Sequence, residues 1–413
     1  MPSSNRKQKN SKLGVKQLDQ WVLTVAEHLP HLSKSQATVL ALWSFGMAIV
    51  KSCALTTVNL FLASLLKVKE NTMRQRLREW CYDSKDKRGS KRVDIDIQSC
   101  FPFLMSWIMD WWQGTQVAIA LDATTLSLCF TVLSISVVYR GCSIPVAWTI
   151  TKGNAKGEWN KHWLRMLGLI RHSIPSHYTV IVLTDRGLYS PKLFRHIRNI
   201  GWHPFMRINA GGTFRPDGEK SFLPISSFAR QPGQRWQGAG TAFKSRRIPA
   251  TLLAYWQEGM EEAWFVLTDL PPQASHVCWY GMRAWIEQGF RTIKRGGWQW
   301  HQTRMTDPKR AQRLWLAVSV ATLWLLCVGG EADEAIPESI FPDIVDCLGN
   351  PTRKRRQRKA TRLRLVSVFR RGWVTILVSL IRHEPLPLGR FIPELWPMLS
   401  HEPLQDKRLG VAA

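Results

Sequence analysis

Acidic residues are scarce in this chain. Its 413 residues hold 30 Asp plus Glu against 57 Lys plus Arg, a formal charge of +27, with a pI near 10.2. An excess of that size and sign points to a nucleic acid or an anionic membrane as partner. Metal-binding cysteine patterns are also missing. The eight cysteines include no Cys-x-x-Cys pair and the eleven histidines show no ligand spacing. This argues against a zinc site or a disulfide framework and suits a reducing cytoplasm. There is no glycine-rich phosphate loop, so nothing implies a nucleotide energy source. The polar, basic N-terminus has no apolar signal region, which reads against secretion. The longest apolar run, Leu314 to Gly330, is at the bottom of the membrane-spanning range. It contains Ser319 and Thr322 and gives way to Glu331 and Asp333, so it is expected to be a buried helix. A nucleic acid in the cytoplasm is then the expected partner, and no membrane is.

What is present is material for a large core: 45% apolar residues and 21 Trp, enough for two to four domains. Residues 1–16 read as a basic arm without fixed structure. From 17 to 82 the apolar spacing is helical. There Thr56 to Leu66 and Glu70 to Trp80, joined by Lys67-Val68-Lys69, fit a helix-turn-helix. Any helical hairpin can share that spacing. Arg74 and Arg78 would face DNA. Near residue 116 the pattern changes to short β-branched runs: a strand ending at Asp122, a two-strand meander, a helix, and a buried strand ending at Asp185. Residues 210–263 are rich in Gly, Pro and Ser and read as a β-rich insertion before Trp264 to Thr268. Beyond Asp307 the chain is helical and carries a basic run, Arg353 to Lys359. The divisions expected are 1–112 (arm and helical DNA-binding domain), 113–330 (mixed α/β sheet flanked by helices, interrupted at 210–263) and 331–413 (helical, basic).

Two observations carry chemistry. At 100° per residue, Tyr280, Arg283, Glu287, Arg291 and Lys294 fall within about 80° of one helix face, beside an apolar stripe of Met282, Ile286, Phe290 and Ile293. That face holds a phenol, one carboxylate and three cations. A solvated face with one acid balancing several bases would show the same spacing. Asp122 and Asp185 each end a buried strand, where active sites of α/β sheets form. Asp269 ends a similar run in Val266-Leu-Thr-Asp269, but the Leu-Pro-Pro after it makes helix capping its expected job. With Glu287 the two strand-end acids would supply three hard oxygen ligands, suited to Mg²⁺ or Mn²⁺.

The pattern Tyr280-x2-Arg283-x3-Glu287-x6-Lys294, with Asp122 and Thr184-Asp185-Arg186-Gly187 upstream, resembles the bacterial insertion-sequence transposases of the cut-and-paste DDE type. The resemblance covers roughly residues 115–330, with a looser match around 367–372. It implies a ribonuclease-H-like catalytic core with a β-rich insertion before the last acid. It further implies that Asp122, Asp185 and Glu287 hold two divalent ions. Tyr280, Arg283 and Lys294 would grip phosphates near the cut, and some relatives also hold a DNA hairpin intermediate. Arg291, on the same face, is not a signature position. Some relatives stack a flipped base on a Trp of the insertion, for which Trp236 and Trp256 are candidates. The implied partners are double-stranded DNA, as transposon ends and target, and a second copy of the chain in a synaptic complex. A nuclease that cuts without joining, and a non-catalytic DNA-binding regulator, would share much of this sequence.

Overall fold

The apolar runs that alternate along residues 116–268 assemble into one sheet. A computed structural model describes residues 4–88, 93–126, 129–153, 159–335 and 366–398. Ten strands are present among them: β1 (Gln116–Leu126), β2 (Phe130–Tyr139), β3 (Cys142–Lys152), β4 (Thr179–Thr184), β5 (His203–Arg207), β6 (Thr213–Pro216), β7 (Leu223–Pro224), β8 (Arg235–Ala242), β9 (Ile248–Tyr255) and β10 (Trp264–Thr268). Their order is β3-β2-β1-β4-β5-β10-β9-β8-β6-β7. The first three form an antiparallel meander, and β4 and β5 add in parallel to β1. This is the strand order and sense of a ribonuclease-H-like core. Every residue of β2 is buried, which a strand reaches only when both faces of its sheet are covered.

The sequence breaks rhythm at 210–263, yet the strands formed there make no separate sheet. β10 pairs along its length with Thr251–Tyr255 of β9, and β8, β6 and β7 follow. Strands β6 to β9 therefore prolong the main sheet beyond β10.

Helices α1 (Ser4–His28), α2 (Lys34–Val50), α3 (Leu55–Leu66), α4 (Glu70–Cys81) and α5 (Cys100–Asp110) precede the sheet. The expectation of an unstructured arm is corrected from Ser4 onward, where the backbone is already in α1. The segment offers no proline, and its Lys, Gln and Leu residues favour helix. Lys67, left-handed at φ 54°, ends α3 and turns the chain into α4. Helices α6 (Trp159–Ile170) and α7 (Pro191–Asn199) lie within the core, and α8 (Ala284–Arg291), α9 (Pro308–Glu334) and α10 (Val368–Ile381) follow it. α9 is the one described helix long and apolar enough to cross a membrane, but 94% of its apolar window is buried inside the protein, against β3, α2 and α10. α9 and α10 meet at glycines: a Cβ on Gly329 would lie 2.0 Å from the Val368 carbonyl oxygen, and one on Gly372 1.9 Å from that of Leu325. A buried pair, Arg140 to Asp333 at 2.9 Å, ties the β2–β3 turn to α9. The basic run 353–359 lies outside the described residues. Cys278 is disulfide-bonded, which the cysteine spacing gave no reason to expect.

Candidate active site

The parallel ladder between β1 and β4 ends with Leu121 opposite Thr184. The next residue on each strand is an acid, so the register itself sets Asp122 beside Asp185, at an interstrand spacing of about 4.8 Å. Asp185 follows the end of β4, as its apolar run implied. Asp122 does not end its strand: β1 continues to Leu126 because β2 still pairs with it, Asp122 lying opposite Ser134. The apolar run stops at Leu121 since beyond that point only one neighbouring strand remains.

The third acid comes from α8. Ile286, Gly289 and Phe290 are its buried face, and a Cβ on Gly289 would sit 2.0 Å from the Ser143 hydroxyl of β3. The helix thus lies directly on the sheet, and Glu287 projects from its open side. The run that the sequence reads as one α-helix is three: a 3-10 turn over Val277–Arg283, then α8, then a π turn over Thr292–Gly296. Apolar spacing fixes that a segment is helical, whereas the winding responds to packing at its ends.

Arg283, at the junction of the 3-10 turn and α8, reaches all three acids. Its Nη2 donates to Asp122 Oδ2 at 2.9 Å and stands 3.8 Å from Asp185 Oδ2, while Nη1 donates to Glu287 Oε1. Arg283 and Asp122 are each 16% exposed, Asp185 40% and Glu287 47%. Asp122 Oδ1 also accepts from the Ala123 amide, and Asp185 Oδ1 from the Arg186 amide. Burial raises the Asp122 carboxyl above the ordinary range; Arg283 is the strongest opposing influence, and Glu287 and Asp185 add to the rise. Burial works against the Arg283 charge, but the surrounding Asp122, Tyr280, Asp185 and Glu287 hold its pKa above the ordinary value. One guanidinium among three carboxylates leaves the cluster short of positive charge.

The other signature residues are placed differently. Tyr280 is buried, 4% exposed, edge-on to Trp264 at 5.0 Å. Burial drives its phenol pKa well up, with Arg283 pulling against, Asp185 adding and Arg207 pulling against. Lys294 is half-buried in the π turn; burial lowers its pKa, Arg295 adds to that, and Asp122 opposes. Arg291 is exposed on α8. Arg74 and Arg78 are exposed on α4, outside the acid cluster, and Arg78 donates to the Tyr82 hydroxyl. Asp269, expected to cap a helix, instead pairs with His203 at 3.0 Å and Arg198 at 3.5 Å. Trp236 packs on Phe228 and Phe214, and the Trp256 indole donates to the Met260 carbonyl.

One neighbouring feature was not legible in the sequence. Glu262, in the β9–β10 turn, accepts from Arg186 at 2.9 Å and from Arg207 at 2.8 Å. Its partners lie 76 and 55 residues away; the only local signal was that Arg186 follows Asp185 and that Arg207 ends a strand.

The three carboxylates are hard donors of the kind that bind Mg²⁺ or Mn²⁺, and a cation, the guanidinium, already stands among them. Among the described residues no three His, Cys, Asp or Glu side chains are gathered as a ready metal cage; the acids are spaced around Arg283. The donor chemistry and the shortage of positive charge fit divalent ions.

Residues 113–325, just over half of the chain, match the family described as Transposase DDE domain. The chain belongs to that family. No curated protein matches. Among solved structures, the transposase is similar to a piggyBac transposase synaptic complex with hairpin DNA seen by cryo-EM, at 8% identity, covering 89% of this chain and 78% of that one with a TM-score of 0.35. So loose a superposition decides nothing about individual residues. The matched span of the transposase contains β1 to β10, α8 and all three acids.

Proposed function

We propose that this transposase binds the terminal inverted repeats of its own insertion sequence, cleaves both ends and joins the 3′-hydroxyls to target DNA in the cytoplasm. The observation that carries this reading is the convergence of Asp122, Asp185 and Glu287, from β1, β4 and α8, on one guanidinium. In it these three acids would hold two divalent ions, Mg²⁺ or Mn²⁺. Such ions supply activation of a water or 3′-hydroxyl and stabilisation of the leaving oxygen. Each bond broken is replaced by a bond of the same kind, so no nucleotide is consumed.

The chain's own groups position the substrate. Arg283 holds the acids together before DNA arrives and offers a forked donor set to phosphate oxygens. Lys294, within electrostatic reach of Asp122, is a second cation for the backbone of the cut strand. Arg291 faces solvent on the same helix and adds a contact further along. Tyr280, being buried, acts through its neighbours: its ring seats the 3-10 turn that carries Arg283. Arg74 and Arg78 on α4 contribute to binding of the ends, where phosphate contacts fix register. A second copy of the chain would bring the two ends together.

The test is a strand-transfer assay with a pre-cut transposon-end duplex, a supercoiled target and Mn²⁺. The wild type is expected to produce joined product, and Asp122→Asn, Asp185→Asn and Glu287→Gln none. Joining at wild-type level by any of the three would remove the site. Cleavage of intact ends without any joining would leave a nuclease in place of a transposase.

A further inference from the structure

Next to the acid cluster stands a second arrangement of charge. Arg186 immediately follows Asp185. Arg207 ends β5, held in place by pairing with Val266 of β10. Both guanidiniums bind one carboxylate: Arg186 Nη1 lies 2.9 and 3.1 Å from the two Glu262 oxygens, and Arg207 Nη2 lies 2.8 Å from Oε1. The arginines are anchored unequally, Arg207 15% and Arg186 49% exposed, and Glu262 is 53% exposed. Glu262 sits on a turn that carries two more glutamates, Glu258 and Glu261. All three are exposed, and among the described residues Glu262 is the one of them that pairs with Arg186 and Arg207.

A carboxylate between two guanidiniums presents two oxygens much as a phosphodiester presents its two non-bridging oxygens. The Arg186–Glu262 pair, with both side chains about half exposed, opens at little cost. Arg207 is also within electrostatic reach of the Tyr280 hydroxyl, which senses Arg283 and Asp185 too. Arg186 directly follows Asp185, and its amide donates to the Asp185 carboxylate, so the arginine pair adjoins the candidate active site.

We propose that Arg186 and Arg207 form a phosphodiester clamp beside the acid cluster, and that Glu262 fills it as a carboxylate substitute until the DNA backbone displaces it. This rests on the DNA-transposase reading above and names residues which that reading does not use. Glu262 screens a strongly basic edge in the absence of DNA, and its displacement makes weak, non-productive contacts less favourable than full engagement at the acids.

The test uses the full chain and fluorescence anisotropy with a labelled duplex of arbitrary sequence, without divalent ions, since phosphate contacts carry no sequence information. Glu262→Gln is expected to tighten binding by roughly fivefold, the value of one exposed ion pair that no longer has to open. Glu258→Gln is the control. It changes net charge equally, and among the described residues Glu258 pairs with neither arginine; its gain is expected to be much smaller. Arg186→Gln/Arg207→Gln is expected to weaken binding and to lower the slope of log K against log salt by about 0.9 for each phosphate left without its arginine. In that background Glu262→Gln is expected to give no gain. Equal gains from Glu262→Gln and Glu258→Gln, or a Glu262→Gln gain that persists without the arginines, would overturn the clamp. Glu262→Ala is the second variant if Glu262→Gln does not fold. Absence of salt-dependent duplex binding by the wild type would instead overturn the DNA reading itself, so the two failures are distinguishable.

Discussion

Replacing Arg283 by Ala removes the one cation that Asp122, Asp185 and Glu287 share. The effect on stability can be bounded from the geometry. Breaking a fully buried ion pair costs about 3–5 kcal/mol, and an exposed one about 0–1 kcal/mol. Arg283 and Asp122 are each 16% exposed, while Asp185 and Glu287 are 40% and 47% exposed. A loss of about 2 kcal/mol near neutral pH is expected between those limits. The pH dependence has a definite sign. Burial already raises the folded-state pKa of Asp122, and Arg283 is the main influence opposing that rise; without it the pKa climbs further. A carboxyl whose folded pKa lies above its unfolded value of 3.8 binds protons more readily in the native state. Stability from this group therefore falls as pH rises through the window between the two values and returns on acidification. The variant's deficit should be largest at neutral pH and shrink below that window. Mn²⁺ should restore more stability to the variant than to the wild type, because no guanidinium competes for the acids. Thermal unfolding across pH, with and without Mn²⁺, measures both effects, with Arg283→Ala/Asp122→Asn as the reference lacking the critical carboxylate. Parallel stability–pH profiles for wild type and Arg283→Ala, or a smaller Mn²⁺ shift in the variant, would refute the reasoning.

Other expectations follow from the same geometry. Asp122→Asn should cut DNA cleavage at least 1,000-fold, corresponding to about 4 kcal/mol of transition-state stabilisation, while leaving the unfolding temperature unchanged or raised, since it removes a charge that burial disfavours more than Arg283 supports it; single-turnover cleavage and calorimetry on one preparation check both halves. Gly289→Ala should destabilise the protein by about 1–3 kcal/mol and depress cleavage, because the added Cβ meets the Ser143 hydroxyl and lifts the helix that carries Glu287; denaturant unfolding at wild-type strength would count against the close packing. Arg74→Ala and Arg78→Ala should weaken binding to transposon ends and flatten its salt dependence by about one unit of slope per phosphate released, with joining of pre-bound ends little affected. An unchanged salt slope would take α4 out of the interface.

The amino-acid order alone carried the sheet-and-helix alternation, the acids that close two apolar runs, Asp122 and Asp185, and the helical nature of residues 280–294. All of these follow from local periodicity: a strand buried on both faces reads as an apolar run, and the residue that ends it stands out when it is charged. Sequence also marked residues 210–263 as a break, since Gly, Pro and Ser interrupt that periodicity. Other features depended on contacts between distant segments. Strand pairing decided that the insertion joins the main sheet through β9 and β10, and that β1 runs four residues past Asp122 with β2 as its partner. Packing on β3 and against Trp264 decided the three windings of the 277–296 run and turned Tyr280 inward. Residues 4–16 form helix although their basic, polar composition resembles that of an unstructured arm, because their Lys, Gln and Leu residues favour helix. The charge geometry was wholly tertiary. Arg283 meets Asp122 across 161 residues and Glu262 meets Arg186 across 76, and Coulomb interactions depend on distance in space, which periodicity along a chain does not encode. The sequence determined which acids and bases the protein has available for DNA chemistry; folding alone decided that one arginine stands among three carboxylates, and one glutamate between two arginines.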